Sequence, residues 1–303
     1  MRKSVKISLT AVCVVILLGI AVTAGVLLLR PSAISGPECT VPGNSGGATT
    51  SPTVELTVVQ LQHASTINAV GLARSIPQRG RIIAVATAYQ ESSLRNRPNG
   101  DRDSVGLFQQ RPSQGWGTAD QIKDPIYASG KFYDALLEVQ GWQDMSLTDA
   151  AQAVQYSAFP NAYAKWEPQA TTLVQALSGA PLQLNCSAGA RMPTSGSPDR
   201  PSLAGTDGAT PELTATLGAA QAELGGLTVD SISDDGRTGT VEVTVPGLAA
   251  TAAGRALAAW GVAHGIGLQV TQVSVQDRTW VDHSWESADP IPDAARVLIT
   301  VGE

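Results

Sequence analysis

IIAVATAYQESSLRNRPNGDRDSVGLFQQRPSQGW, residues 82–116, changes character twice along its length. Residues 82–89 are apolar or small on every side, as in a helix buried all round. The run ends in Gln90-Glu91-Ser92, crosses a polar loop of Asn, Asp and Gly, and closes on Gly106-Leu107-Phe108-Gln109-Gln110. A carboxylate at the end of a fully apolar helix feels two influences that raise its pKa. Burial disfavours the anion, and the negative end of the helix dipole disfavours it again. An acid still protonated near neutral pH is what cleavage of a glycosidic bond requires. The plainer alternative is a solvated Glu at a helix end, which is the commoner case.

Working outward, the neighbouring residues also read as helices. Leu61, Ala64, Ile67 and Val70 recur every third residue, and Ile76-Pro77 stops that helix. Asp124-Pro125 is an N-cap followed by an N1 proline, opening a helix through Phe132, Tyr133, Leu136 and Leu137. Ser146 with Asp149 resembles a capping box ahead of Ala150, Ala153 and Val154. A last helix covers about residues 162–177, with Pro168 as an expected kink. Thr210-Pro211 then opens a helix to about Leu224. Strands at 228–233 and 240–245 flank Asp234-Asp235-Gly236, a hairpin signal. A helix at about 248–265 and strands at 269–275 and 297–301 complete the order αββαββ, a small open-faced sandwich. Trp280, His283 and Trp285 fall in a loop and read as contact or packing residues. The fold class is therefore α+β, a mainly α domain followed by a smaller α/β one.

Composition fits such a chain. Of 303 residues, 43% are hydrophobic, enough for a sizeable core. The net charge of −6 argues against a nucleic-acid partner. Three scattered histidines exclude an HExxH zinc site, and no metal or other cofactor is expected. Residues 1–7 carry Arg2, Lys3 and Lys6, and 8–29 are uncharged, long enough to cross roughly 30 Å of hydrocarbon. The expectation is a single-pass membrane anchor with a cytoplasmic N-terminus and an extracellular remainder; a cleaved signal peptide is the rival. Residues 30–52 and 187–209 read as linkers, leaving domains at 53–186 and 210–303. Cys39 and Cys186 are the two cysteines beyond the span, so a disulfide is expected, worth roughly 4–5 kcal/mol by chain entropy. Gly43-Asn44-Ser45-Gly46-Gly47 matches GxSxG without the strand and helix that motif requires.

Three motifs in order resemble the lysozyme-like superfamily, especially lytic transglycosylases and bacterial muramidases. A helix ends in Glu91-Ser92; Gly106-Leu107-Phe108-Gln109 matches a Gly-Leu-(Met or Phe)-Gln turn; and residues 152–166 fit an Ala-Tyr-Asn-Ala-Gly-Pro run followed by Trp. Tyr156, Pro160 and Trp166 take the motif positions, whereas Ser157 and Phe159 depart from it. The resemblance implies that Glu91 is the general acid, with Ser92, Gln109 and Tyr156 shaping the sugar site. Ser104 stands where the lysozyme branch carries a second carboxylate, so the resemblance implies a single-acid mechanism, with Asp103 and Asp101 as possible helpers. Asn99, Asp101 and Asp103 alternate like early EF-hand ligands, but Ser104 and Gln110 break that pattern. The implied activity is cleavage of the MurNAc–GlcNAc bond in peptidoglycan glycan strands. The alternative is a non-catalytic glycan-binding or scaffold protein of an envelope machine. An envelope protein is the expected partner of the C-terminal domain.

Overall fold

Thr57 starts the first helix. Its Oγ1 accepts from Gln60 N at 3.4 Å while Gln60 Oε1 accepts from Thr57 N at 3.0 Å, a reciprocal box that satisfies two orphan donors. This is a computed structural model, and it describes residues 38–43, 51–155, 162–186 and 203–302. The chain opens with strands β1 (Glu38–Val41) and β2 (Val54–Thr57), followed by helix α1 (Val58–Ala73). Helix α2 (Gln78–Ser92) lies against α1 and is buried from Gly80 to Tyr89. Short helix α3 (Ala119–Ile122) precedes α4 (Pro125–Glu138), α5 (Leu147–Gln155) and α6 (Glu167–Ala176).

Local chemistry explains the boundaries. Asp124 caps α4 through Ile126 N at 2.9 Å, with Pro125 inside the first turn. Tyr133 of α4 donates its hydroxyl to Ile67 O of α1 at 2.8 Å, so the buried ring leaves no unpaired oxygen. Arg81, buried in α2, donates to Ile76 O and to Asn68 Oδ1, and also to Ser178 Oγ. Two expectations change here. Pro168 sits in the first turn of α6 rather than kinking a longer helix, because the chain reaches it through a 3-10 turn at Ala164–Trp166. Leu137 is exposed, one residue beyond the apolar face of α4.

Strand β3 (Asn185–Cys186) pairs with β1, giving the antiparallel order β2-β1-β3. Cys39 lies opposite Cys186 in that register and the two are joined by a disulfide, as expected. The second sheet follows helix α7 (Pro211–Leu224), capped by Thr210. Its strands are β4 (Leu227–Ile232), β5 (Thr238–Val243), β6 (Val270–Val275), β7 (Arg278–Val281), β8 (Ser284–Ser287) and β9 (Arg296–Val301). Helix α8 (Ala250–Leu268) separates β5 from β6, and all pairings are antiparallel in the order β4-β5-β9-β6-β7-β8. The α+β class is as expected. The loop holding Trp280, His283 and Trp285 is instead the β7–β8 hairpin, with Trp280 opposite Trp285. Trp280 is buried, and Trp285 Nε1 donates to Leu184 O at 2.9 Å, so neither indole is a free contact.

Residues 37–303 form one unit, in which α1 packs against α2 and α4 as well as against α7 and α8. A polar group lies buried between them. Glu223 of α7 accepts from Trp260 Nε1 at 2.8 Å and lies 3.4 Å from His264 Nε2 of α8. His264 Nε2 is also 3.5 Å from Thr66 Oγ1 of α1. Burial opposes the Glu223 anion, but His264, Trp260 and Thr66 outweigh it and hold the carboxyl below its usual range.

The membrane topology must be corrected. No helix among the described residues is long and apolar enough to cross a membrane. The span expected at 8–29 and its flank 1–7 lie outside the described residues, as do most of the linkers at 30–52 and 187–209. The longest described helix, α8, spends its apolar surface on the sheet and on α1. Among the described residues, the anchor, the membrane as partner and the single-pass localisation therefore have no helix to carry them.

Replacing Glu223 with Ala strips the buried acceptor from Trp260 and His264. The expected loss in folding free energy is about 3–5 kcal/mol by urea denaturation, with Glu223→Gln losing less because its amide oxygen still accepts from Trp260.

Candidate functional site

Helix α2 ends abruptly. Ser93 and Leu94 both adopt left-handed backbone, φ +56° and +55°, without being glycine. Ser93 N bonds Tyr89 O at 2.9 Å and Leu94 N reaches back to Ala88 O at 3.1 Å, a Schellman-type closure. Leu94 is wholly buried beneath it. The turn leaves Glu91 half-buried, where the core of the helical segment meets the loop.

Two donors hold its carboxylate. Tyr163 Oη donates to Glu91 Oε1 at 2.6 Å. The Gln155 side chain bonds the same carboxylate, and its Nε2 also donates to Phe108 O at 2.7 Å. Burial pushes the Glu91 carboxyl above its usual range; the hydrogen bonds from Tyr163 and Gln155 pull the other way and only partly offset it. Beside it, Trp166 Nε1 donates to Gln90 Oε1 at 3.0 Å and its ring stacks on Tyr89 at 4.8 Å.

The facing wall is the turn at 105–110. Gly106 has φ +82°, and a Cβ there would lie 2.6 Å from Ile122 O, so glycine is required. Phe108 stacks on Phe132 at 4.7 Å, pinning the turn to α4. Ser92 Oγ lies 2.7 Å from Leu107 O and 3.0 Å from Ala88 O, tying α2 to this turn. Ser92 thus spends its hydroxyl on backbone carbonyls. Gln109 Nε2 donates to Gly106 O at 3.1 Å, and Ser104 Oγ bonds Gln109 Oε1 and Asp101 O. These residues brace the loop.

The two helper carboxylates have other partners. Asp103 accepts from Arg111 Nε and Ser113 N, each at 2.7 Å, and from Ser113 Oγ. Ser113 and Arg111 hold its carboxyl well below the usual range. The Asp101 side chain is exposed, with Arg102 Nε 3.9 Å away. Tyr156 lies outside the described residues, as do Ser157, Phe159 and Pro160. Sequence reasoning missed Gln155 and Tyr163. Both fall within the 152–166 run it examined, but the motif register directs attention to Tyr156 between them. Among the described residues no group of three or more His, Cys, Asp or Glu could hold a metal ion.

A concavity between α1, α4 and α7 is lined by Arg74, Tyr127, Lys131 and Asp134. Its Arg74 is already bonded to Asp134 and Gly130 O.

No family model matches the chain, and neither does any curated protein. The expected membership of the lysozyme-like superfamily is corrected accordingly. Short motifs of moderate specificity, two of whose positions already depart in Ser157 and Phe159, do not amount to a family match.

The raised Glu91 pKa fixes the sign of a stability effect. The folded state favours the protonated acid, so the contribution of Glu91 is full below pH 4.5 and lost as pH rises through the raised value. Glu91→Gln, which still accepts from Tyr163, is expected to melt higher than wild type at about pH 8. The difference should vanish near pH 4 in calorimetric scans.

Proposed function

We propose that the protein is a glycosidase cleaving the MurNAc–GlcNAc bond of peptidoglycan glycan strands, with Glu91 as the single general acid and base. The observation that carries this reading is the Glu91 carboxyl itself. It is half-buried at the end of an apolar helix, raised in pKa by that burial, and oriented by Tyr163 and Gln155. A carboxyl so placed is biased toward its protonated form and still aimed.

In the first step Glu91 gives its proton to the glycosidic oxygen as the C1–O bond breaks, releasing the alcohol and leaving positive charge on the sugar ring. In the second, the C6 hydroxyl of the same MurNAc attacks C1 and returns its proton to Glu91. The product carries a 1,6-anhydro ring, and the enzyme is regenerated. No second carboxylate is needed in this scheme, consistent with Asp103 being engaged by Arg111 and Ser113.

Mass spectrometry of purified peptidoglycan after incubation with the full chain tests the reading. Muropeptides lighter by one water, the 1,6-anhydro ends, are expected. Glu91→Gln should lower their rate of appearance by about 10²–10⁴ while leaving the fold intact. Glycan binding without any cleavage, or a residual rate above about a tenth of wild type in Glu91→Gln, would overturn it.

Tyr163→Phe removes a hydrogen bond that favours the Glu91 anion. The alkaline limb of the pH–rate profile is therefore expected to move to higher pH, the opposite of what loss of an essential acid would give.

A further inference from the structure

The left-handed turn after Glu91 is held by more than its own backbone closure. Its carbonyls at Ser93 and Leu94 point out of the α2 hydrogen-bond ladder, and both are met by side chains of α1. Gln60 Nε2 donates to Ser93 O at 2.9 Å, and His63 Nδ1 lies 2.7 Å from Leu94 O. Residues 60 and 63 are three apart on one helix and so share a face. Each donor is aimed from behind. The amide oxygen of Gln60 is fixed by Thr57 N and Thr57 Oγ1, both at 3.0 Å, which turns its NH2 toward Ser93. The His63 nitrogen that faces a carbonyl must carry the proton.

We infer that Gln60 and His63 are positioning residues for Glu91, acting through the Ser93–Leu94 turn. The inference rests on the reading of Glu91 as the acid. Two consecutive non-glycine residues in left-handed backbone persist only where the surroundings over-determine them. Here the determinants are the buried Leu94 side chain, the backbone closure onto Ala88 and Tyr89, and these two donors. Relaxation of the turn would rotate the last residues of α2 and carry the Glu91 carboxylate away from Tyr163 Oη. Burial pushes the His63 imidazole below its usual pKa, and the bond to Leu94 O opposes that shift. The titratable groups that face it are His264 of α8 and Glu223 of α7. The α7–α8 layer packs against the helix that sets the turn.

The test uses the full chain, uncrosslinked peptidoglycan glycan strands as substrate, and ¹³C NMR titration of Glu91 as a readout independent of activity. His63→Leu keeps bulk and loses the donor; His63→Asn returns a donor near the Nδ1 position. The expected result is a kcat about 10- to 100-fold lower in His63→Leu with little change in KM, a displaced Glu91 titration midpoint, and recovery of both in His63→Asn. A folded His63→Leu with wild-type kcat and an unmoved Glu91 midpoint would overturn the inference. If His63→Leu does not fold, Gln60→Met decides by the same two readouts. An inactive wild type defeats the glycosidase reading alone, because the Glu91 midpoint in the variants still reports on positioning.

Discussion

Helix α2 is buried from Gly80 to Tyr89, and that burial constrains everything around it. A helix without a polar face cannot end in the core, because its final carbonyls would be left without donors. It emerges in part at Gln90 and Glu91, whereas Ser92 is buried again. The half-buried state of Glu91 follows from this exit. Each nearby element satisfies the exit in some way: the Ser93–Leu94 closure, Ser92 on Leu107 O, Gln155 between Phe108 O and the carboxylate, and Tyr163 across the gap.

Helix α1 is the wall shared by the two halves of the described chain. One side lies against α2 and supplies Gln60 and His63 to the turn; another lies against α7 and α8 and supplies Thr66 to the Glu223–His264 pair. A helix between two packed layers has little room for charge, and α1 carries none in its first turn and none in its last. Its polar residues are neutral, and several are committed to specific partners. Asn68, for example, donates to Leu177 O and accepts from Arg81 and Ser178. Such a network fixes one packing of the two layers, because a shifted arrangement would strand several buried polar atoms at once.

Much of this was legible in the residues and some was not. Asp124-Pro125 and Thr210-Pro211 mark helix starts because an N-cap followed by proline has few other uses, and both helices begin there. The β7–β8 hairpin was missed for an equally local reason. Its two-residue loop is Asp282-His283, with φ of +47° and +67°, and the turn pattern the eye seeks at such angles is Asn-Gly or Asp-Gly. The carboxylate at the end of α2 could be picked out because an all-apolar run interrupted by Glu is visible in one dimension. Its partners could not, since Tyr163 lies 72 positions away and nothing in periodicity brings a tyrosine to a particular oxygen. The lesson extends to the expected roles of Ser92 and Gln109. Small polar residues at turns are as useful for holding backbone as for touching a ligand, and here both hold backbone.

Glu91 and Asp103 show how surroundings shift two carboxyls in opposite directions. Asp103 sits at the surface with a guanidinium, a backbone N–H and a hydroxyl directed at its oxygens, so its anion is favoured and its lone pairs are occupied. Glu91 sits partly out of water with two neutral donors, so its anion is disfavoured by burial and only partly restored by hydrogen bonding. The difference lies in burial as well as in the partners, since both are carboxylates with ordinary intrinsic acidity. A charged partner for Glu91 would have favoured its anion and opposed the effect of burial. Tyr163 and Gln155 orient the group and offset burial only in part. On the glycosidase reading, the absence of charge in those two partners is therefore as much a part of the chemistry as the carboxyl they hold.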